Sequence, residues 1–470
     1  MVSVKVIGII GISSVIASAI NYEGMDLNKR DTTTQAYTLP DFANNSYDYC
    51  QAPKPSAKTY TPVANSTLAF VQYVIRHGGR TPYQILPGVK TEWYDCSNPL
   101  NYITNRDVNG ASNNDFVTMK QTIIGSSSVP NNFDYKLWKG NCVSGQLVDF
   151  GKSQLVELGG DLRGIYVDKL GYLNDTLKEN SNINVRTSYI WRTQDSASSL
   201  LSGLYPKSKR ESGAYVTMGY KPAEIDTLFE NSGACPAVGK LSSAYMAEPA
   251  YNSYLSNYTS KMNRVANIMG AVGTPGWNVT WYSYMDITQA QRCLKKAYTC
   301  GADGDCITDS DAKLAMNMNH FAVAYQKRDW AQSFKLLQLG VGPLFSEMLK
   351  EMGEAIEFDK KNPNSPLGTR KFSLYSAHDA TVSNIIGAFR GSDVDMLWPE
   401  FASNLALEVW RDNKTNEYSI RAIYNGRILQ VQGLNGTKTP WCDFSSCKWS
   451  DYNNFLSKYI VSDIKTACSA

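Results

Sequence analysis

Histidine is scarce in this chain, with three in 470 residues, so any site built on imidazole has few candidates. No Cys-x-x-Cys pair occurs and no histidine lies beside a cysteine, which removes the usual ligand spacing of a zinc site. The formal charge is only +3, too small an excess to imply nucleic-acid or membrane-surface binding. Long apolar runs are missing too. The one at the start, Val6 to Ile16, is too short for a permanent bilayer anchor, and with Lys5 before it and Ala17-Ser18-Ala19 after it reads as a secretory leader over residues 1–19.

What is present agrees with secretion. Ten cysteines all follow the leader, an even number suited to disulfides in an oxidising compartment: Cys50, Cys96, Cys142, Cys235, Cys293, Cys300, Cys306, Cys442, Cys447 and Cys468. Cys442 and Cys447 are close enough to staple one loop; the other pairings stay open. Asn44, Asn65, Asn174, Asn257, Asn278, Asn413 and Asn435 each head an N-x-S/T sequon and are expected to carry N-glycans. Lys29-Arg30 is compatible with removal of a propeptide, so residues 20–63 read as propeptide and N-terminal arm.

Two stretches carry chemistry. Thr67 to Ile75 is rich in β-branched and aromatic residues, as a buried parallel strand requires, and then gives way to Arg76-His77-Gly78-Gly79-Arg80-Thr81-Pro82. Two guanidinium forks at a strand's carboxyl end predict an anion, most naturally phosphate. Gly78 and Gly79 would let the backbone turn tightly and approach a ligand. His77 would be a nucleophile, although a satisfied histidine in a basic turn has the same local pattern. At Phe372 to Ala377 a second strand runs into His378-Asp379 and a helical pattern from Thr381 to Phe389. Two of three histidines thus end strands before a change of character. The third, His320, lies inside a helical stretch and reads as structural. Asp379 could cap the helix, supply a proton, or both.

RHGGRTP and AHD resemble the two signatures of the histidine acid phosphatase family. Cys142-Val-Ser-Gly-Gln-Leu with the helix after it, Asn184 to Ala197, Gly203-Leu-Tyr-Pro206, Ala402-Ser-Asn-Leu and Tyr424-Asn-Gly426 resemble further family segments, so that matches span about residues 67 to 428. The resemblance implies a phosphoric monoester hydrolase: His77 attacks phosphorus, Arg76, Arg80, Arg192 and His378 hold the phosphoryl oxygens, and Asp379 protonates the leaving group. The third arginine maps onto Arg192 and not Arg186, with Gln194 and Asp195 standing where apolar residues are common. No metal or other cofactor is implied, because arginines supply the positive charge. A phytase or inositol-polyphosphate phosphatase on the same scaffold is the alternative, which a lysine-lined cleft would favour. The Pro87 to Cys96 extension instead looks closer to the lysophosphatidate and sugar-phosphate branch. A secreted binding protein without catalysis is the reading from another class.

The expected fold is α/β, a doubly wound mixed sheet flanked by helices, like that of phosphoglycerate mutase, with an inserted mainly helical cap. Residues 64–230 form the first part of the core, 231–365 the cap (with 97–140 as a further candidate part), and 366–470 the second part and a stapled tail. Helices are expected over Gly151 to Leu170 with Asp149 as cap, over Asp195 to Tyr205, Asp309 to Leu339 and Pro343 to Phe358. Strands are expected over Ile183 to Arg186 and, as a hairpin at the sheet edge, over Leu405 to Trp410 and Tyr418 to Tyr424. Cys235 to Cys306 bracket a stretch that reads as irregular, in which Trp277, Tyr282 and Tyr284 are candidates for lining a cleft.

Overall fold

The computed structural model describes residues 47–96, 101–102, 119–120, 138–178, 182–363, 371–434 and 437–469. The leader, the dibasic pair, the sequons at Asn44 and Asn435 and most of 97–140 lie outside these residues.

Strand β1 (Ser66–Arg76) opens the core, followed by the short β2 (Asn101–Tyr102) and β3 (Met119–Lys120), helix α1 (Asp149–Leu162), β4 (Ile183–Thr187), α2 (Trp191–Leu204) and β5 (Met218–Tyr220). Seven helices intervene: α3 (Pro236–Ala244), α4 (Pro249–Ser256), α5 (Thr259–Ile268), α6 (Tyr282–Cys293), α7 (Asp309–Ala324), α8 (Ser333–Gly340) and α9 (Gly342–Lys361). The core resumes with β6 (Phe372–Ala377), α10 (Asp379–Ala388), β7 (Asn404–Asp412), β8 (Tyr418–Tyr424), β9 (Arg427–Ile428) and β10 (Cys447–Lys448), and closes on α11 (Trp449–Ser457) and α12 (Ile464–Ser469).

The main sheet is mixed, in the order β10-β8-β7-β1-β6-β4-β5 with β9 on β8. β1 lies between β6, to which it is parallel, and β7, to which it is antiparallel. The alternation of its side chains explains why both faces are covered. Val71, Tyr73 and Ile75 join Leu155, Leu158 and Leu162 of α1 and Leu200 and Leu204 of α2 in one apolar layer. Phe70 and Val74 join Phe345, Met348 and Met352 of α9 and Ile385 and Phe389 of α10 in the other. Because β1, β6 and β4 are all parallel, their carboxyl ends open at one side of the sheet.

Several boundaries differ from expectation. The hairpin β7–β8 forms, but β7 is interior; β10, which begins at Cys447 of the Cys442–Cys447 disulfide, continues the sheet beyond β8. The stretch between Cys235 and Cys306 is mostly helical, from α3 to α6. These helices are short and rich in Tyr, Ser and Asn, so burial against α7 and their neighbours, and not propensity, holds them. The helix expected over Asp309 to Leu339 is broken by a π turn at Tyr325–Asp329. Its start is firm: Thr308 accepts from the Asp311 amide and Asp311 accepts from the Thr308 amide. α1 begins at Asp149 with Val148 in the cap position, and continues through a π-helical segment, Arg163–Lys169.

Candidate active site

The loop leaving β1 is shaped by α1. A Cβ on Gly78 would lie 2.3 Å from the Gly151 carbonyl oxygen, and one on Gly151 would lie 2.1 Å from that of Gly79. Neither Gly78 nor Gly79 has positive φ, so these glycines serve the close approach of the helix and not a left-handed turn. The Gly79 amide donates to Gln154 Oε1 (2.8 Å) and the Gly78 amide to Ser196 Oγ of α2 (3.2 Å), which ties the loop to both helices.

Each arginine of the first motif is held by a carboxylate. Arg76 is fully buried; its Nη2 lies 2.9 Å from Asp379 Oδ2 and donates to Tyr49 Oη (2.9 Å), and Nη1 donates to the Pro399 carbonyl (2.5 Å). The rings of Phe401 and Tyr49 lie 4.5 and 5.0 Å from its guanidinium carbon. Arg80 forks onto Asp286 of α6, at 3.0 Å to Oδ1 and 3.3 Å to Oδ2, and the same carboxylate accepts the Tyr83 amide at 2.7 Å. Arg192 is different: among the described residues it has no carboxylate in ion-pair range, and its Nη2 faces His378 Nδ1 at 3.4 Å. It rides the first turn of α2, which begins four residues earlier than expected. A cation there opposes the helix dipole, and burial followed by repulsion from Arg80 brings its pKa down to about 10, so it stays charged. Arg186, the rejected alternative, is bound to the buried Asp226 at 3.0 Å.

His77 Nδ1 lies 2.9 Å from the Gly78 carbonyl, an acceptor, so that nitrogen carries the proton and Nε2 keeps its lone pair. Burial, then the fields of Arg192, Arg76 and Arg80, hold the imidazole neutral, far below the usual histidine range. His378 is the reverse tautomer: Nδ1 faces a guanidinium and accepts, leaving a buried Nε2–H that has no partner among the described residues. Burial and Arg192 bring its pKa to about 3. The two rings are 5.8 Å apart, edge to face. His378 is the cap of α10 and Asp379 its first residue, with Asp379 Oδ1 accepting the Ala380 amide. Burial raises the Asp379 pKa, but Arg76 and then Arg80 outweigh it and hold the carboxyl below its ordinary range.

The structure thus brings Arg76, His77, Arg80, Arg192, His378 and Asp379 to one place at the strand ends. Nε of Arg76, Arg80 and Arg192 and Nε2 of His378 are buried donors with no acceptor among the described residues. Two contributors were not legible in the sequence. Asp286 and Tyr49 come from segments with no motif around them, and only the third dimension shows that they aim the arginines. Tyr282 was a candidate and does face the site, feeling Asp286 and Asp379; Tyr284 is buried in the helical core. His320 is also buried there, its Nδ1 accepting the Trp398 amide at 2.8 Å.

Curated relatives cover most of the chain. It is 27% identical over 424 residues to counting factor 60 of Dictyostelium discoideum, covering 87% of this chain and 91% of that protein. It is 23% identical over 409 residues to lysophosphatidic acid phosphatase type 6 of Mus musculus, covering 86% and 88%. Among solved structures, the apo form of Hafnia alvei phytase superposes with a TM-score of 0.53 at 14% identity, over 87% of this chain and 99% of that one, which shows a shared fold. The model of one family matches residues 67–425, a span that runs from β1 to just past β8 and includes both strand-end motifs. The chain therefore belongs to the histidine phosphatase superfamily, branch 2.

Proposed function

We propose that this protein is a secreted acid phosphatase that hydrolyses phosphate monoesters through a phosphohistidine. The observation that carries the reading is the tautomer of His77: one ring nitrogen is tied to a carbonyl and the other presents a lone pair in the field of Arg192, Arg76 and Arg80. In the first step Nε2 attacks phosphorus in line while the ester oxygen departs with the proton of Asp379. In the second, Asp379 as carboxylate takes a proton from water, which attacks the phosphohistidine, releases phosphate and restores the site. Arg76, Arg80, Arg192 and the His378 Nε2–H would neutralise the equatorial oxygens in both steps. The mouse relative named as a phosphatase supports this activity.

Asp379 must be protonated when the leaving group departs, yet its carboxyl is depressed in the free protein. A bound phosphate dianion raises it, by repulsion and by drawing the Arg76 field toward phosphoryl oxygens. An acidic optimum follows.

Secretion is supported by five disulfides and by sequons exposed at Asn65, Asn174, Asn257, Asn278 and Asn413. Among the described residues no helix is long and apolar enough to cross a membrane. The mouse relative, named for lysophosphatidic acid, favours a monoester with a single phosphate over an inositol polyphosphate.

The test is phosphate release, in EDTA, from p-nitrophenyl phosphate, phytate and lysophosphatidate by the native protein and by His77→Ala. Release by the native protein alone is expected, with phytate slowest. Equal rates for both proteins would overturn the role of His77, and no release by either would favour a binding protein.

A further inference from the structure

Behind Arg76 and His77 runs the turn Pro399–Ser403, which touches the two residues at every level. The Pro399 carbonyl accepts from the Arg76 side chain, the Phe401 ring covers its guanidinium, and the Ser403 carbonyl accepts the Arg76 amide at 2.8 Å. The Ala402 amide donates to the His77 carbonyl at 3.2 Å. To make these contacts Ala402 adopts φ +60°, a left-handed conformation that a residue with a Cβ disfavours, so something must hold the turn.

That something is Glu400. Its Oε2 accepts from Ser403 Oγ (3.1 Å), closing the turn on itself, and from Asn425 Nδ2 (2.9 Å), pinning the turn to the bend after β8. Asn425 in turn accepts the Asn404 amide through its own carbonyl oxygen (2.9 Å), so the link continues into β7. Glu400 is 7% exposed and has no cation in ion-pair range among the described residues. Its donors, Ser403, Asn425 and its own backbone amide, are neutral groups. The charged and titratable neighbours are Arg76 on β1, Tyr47 on the N-terminal segment and Tyr424 on β8. Beyond Tyr424, Asp395 and Arg427 are occupied with each other at 2.5 Å, and His320 of α7 stands on the far side of Tyr47.

We propose that Glu400 is a positioning residue that keeps Arg76 and His77 aimed while its carboxyl is neutral, and that its ionisation loosens the Pro399–Ser403 turn and switches activity off from behind the site. The inference rests on the reading of Arg76 and His77 as the phosphate-holding and attacking groups. Burial pushes the Glu400 pKa up to about 7, against the opposing bonds from its own amide, Ser403 and Asn425 and the field of Arg76. An ionised carboxylate in that buried place has only neutral donors and no paired cation for its charge, which strains the turn that carries it.

Glu400→Gln preserves the shape and an acceptor oxygen while abolishing titration. With p-nitrophenyl phosphate, kcat of the native protein is expected to fall more steeply above a limb at about pH 7 than that of Glu400→Gln, by up to a further tenfold per pH unit, because the variant keeps only the decline that Asp379 sets. Thermal unfolding gives a readout independent of turnover. A carboxyl with a raised folded pKa withdraws stability as pH climbs from the ordinary glutamate value to about 7; the native protein should show that decline and Glu400→Gln should not. Parallel kinetic profiles in an active pair overturn the switch, and parallel melting profiles overturn the pinning even if neither protein turns over. If Glu400→Gln does not fold, Ser403→Ala takes its place: losing one donor must move the limb to higher pH, and an unmoved limb refutes the proposal.

Discussion

Asp286 and Asp379 each grip an arginine, and only their surroundings separate their tasks. Asp286 is 2% exposed and accepts three bonds, so its oxygens are committed to aiming Arg80 and the Tyr83 amide. Asp286→Asn should therefore weaken competitive inhibition by inorganic phosphate and lower kcat/KM by roughly 10–100-fold, the cost of about 1.5–3 kcal/mol for a charge-assisted pair. Asp379→Asn has a different signature. Losing a general acid should cost about 10²–10⁴ on an alkyl phosphate, but far less on p-nitrophenyl phosphate, whose phenolate leaves without a proton. Equal losses on both substrates would remove Asp379 from that role. Histidine burial sets a further pH effect. His77, His320 and His378 all have folded pKa values below the ordinary 6.5, the latter two about 3, so the unfolded chain binds more protons and stability falls as pH drops below about 6.5. His320→Gln, outside the site, should flatten the decline of Tm with acid measurably while leaving kcat unchanged. Arg76, His77, Arg80, His378 and Asp379 were readable because each follows a strand in one contiguous string. Arg192 needed the family resemblance, and Asp286 and Tyr49 needed the fold.

Among the elements, β1 and β6 were legible almost to the residue, since apolar, aromatic and small residues run up to each motif, and the buried polar side chains among them, such as Gln72 and Ser373, find their partners on α9. α1 was legible as a helix but not as part of the site. Its apolar spacing announces the face toward the sheet, whereas Gly151 and Gln154, which receive the loop after β1, look like ordinary helix residues. Gly151→Ala would drive a methyl group into the Gly79 carbonyl, and overpacking of this kind costs about 1–3 kcal/mol. Because the displaced atom belongs to the loop carrying His77, kcat should fall together with Tm. Gly160→Ala, on the same helix with open space at its Cβ, should leave kcat unchanged and raise Tm slightly, since alanine favours a helix interior over glycine by about 1 kcal/mol. Paired melting curves and rate measurements on the two variants check this. α3 to α6 escaped the sequence because a short helix buried by its neighbours needs no strong periodicity of its own.

Across the whole molecule, the disulfides divide into local staples and long ties. Cys300–Cys306 and Cys442–Cys447 close loops of a few residues, while Cys50–Cys293 and Cys235–Cys468 span separations of 243 and 233. Only the local pair Cys442–Cys447 could be anticipated, since the long ties depend on the complete fold. Cys50 adjoins Tyr49, which holds Arg76, and Cys293 ends the helix whose Asp286 holds Arg80. Replacing both by serine should lower stability by about 2–5 kcal/mol and also reduce kcat/KM. Replacing Cys235 and Cys468 should lower stability by a similar amount at nearly constant kcat, since that tie joins α3 to the C-terminal helix away from the strand ends. Equal kinetic losses in the two double variants would show that the first tie has no special claim on the arginines.

The place of β1 has a consequence in time. Among the described strands it is the first to leave the ribosome, yet both of its neighbours, β6 and β7, are encoded in the last quarter of the chain. About 300 residues separate it from β6, on the order of 15–60 s of synthesis at ~5–20 residues per second. Throughout that interval the nascent protein owns His77 but neither His378 nor the Pro399–Ser403 turn, and so has no phosphate pocket. A chain cut short anywhere before β7 is catalytically mute, and turnover begins only once the polypeptide is complete. The enzyme needs no separate inhibitor to keep it silent while it is being made.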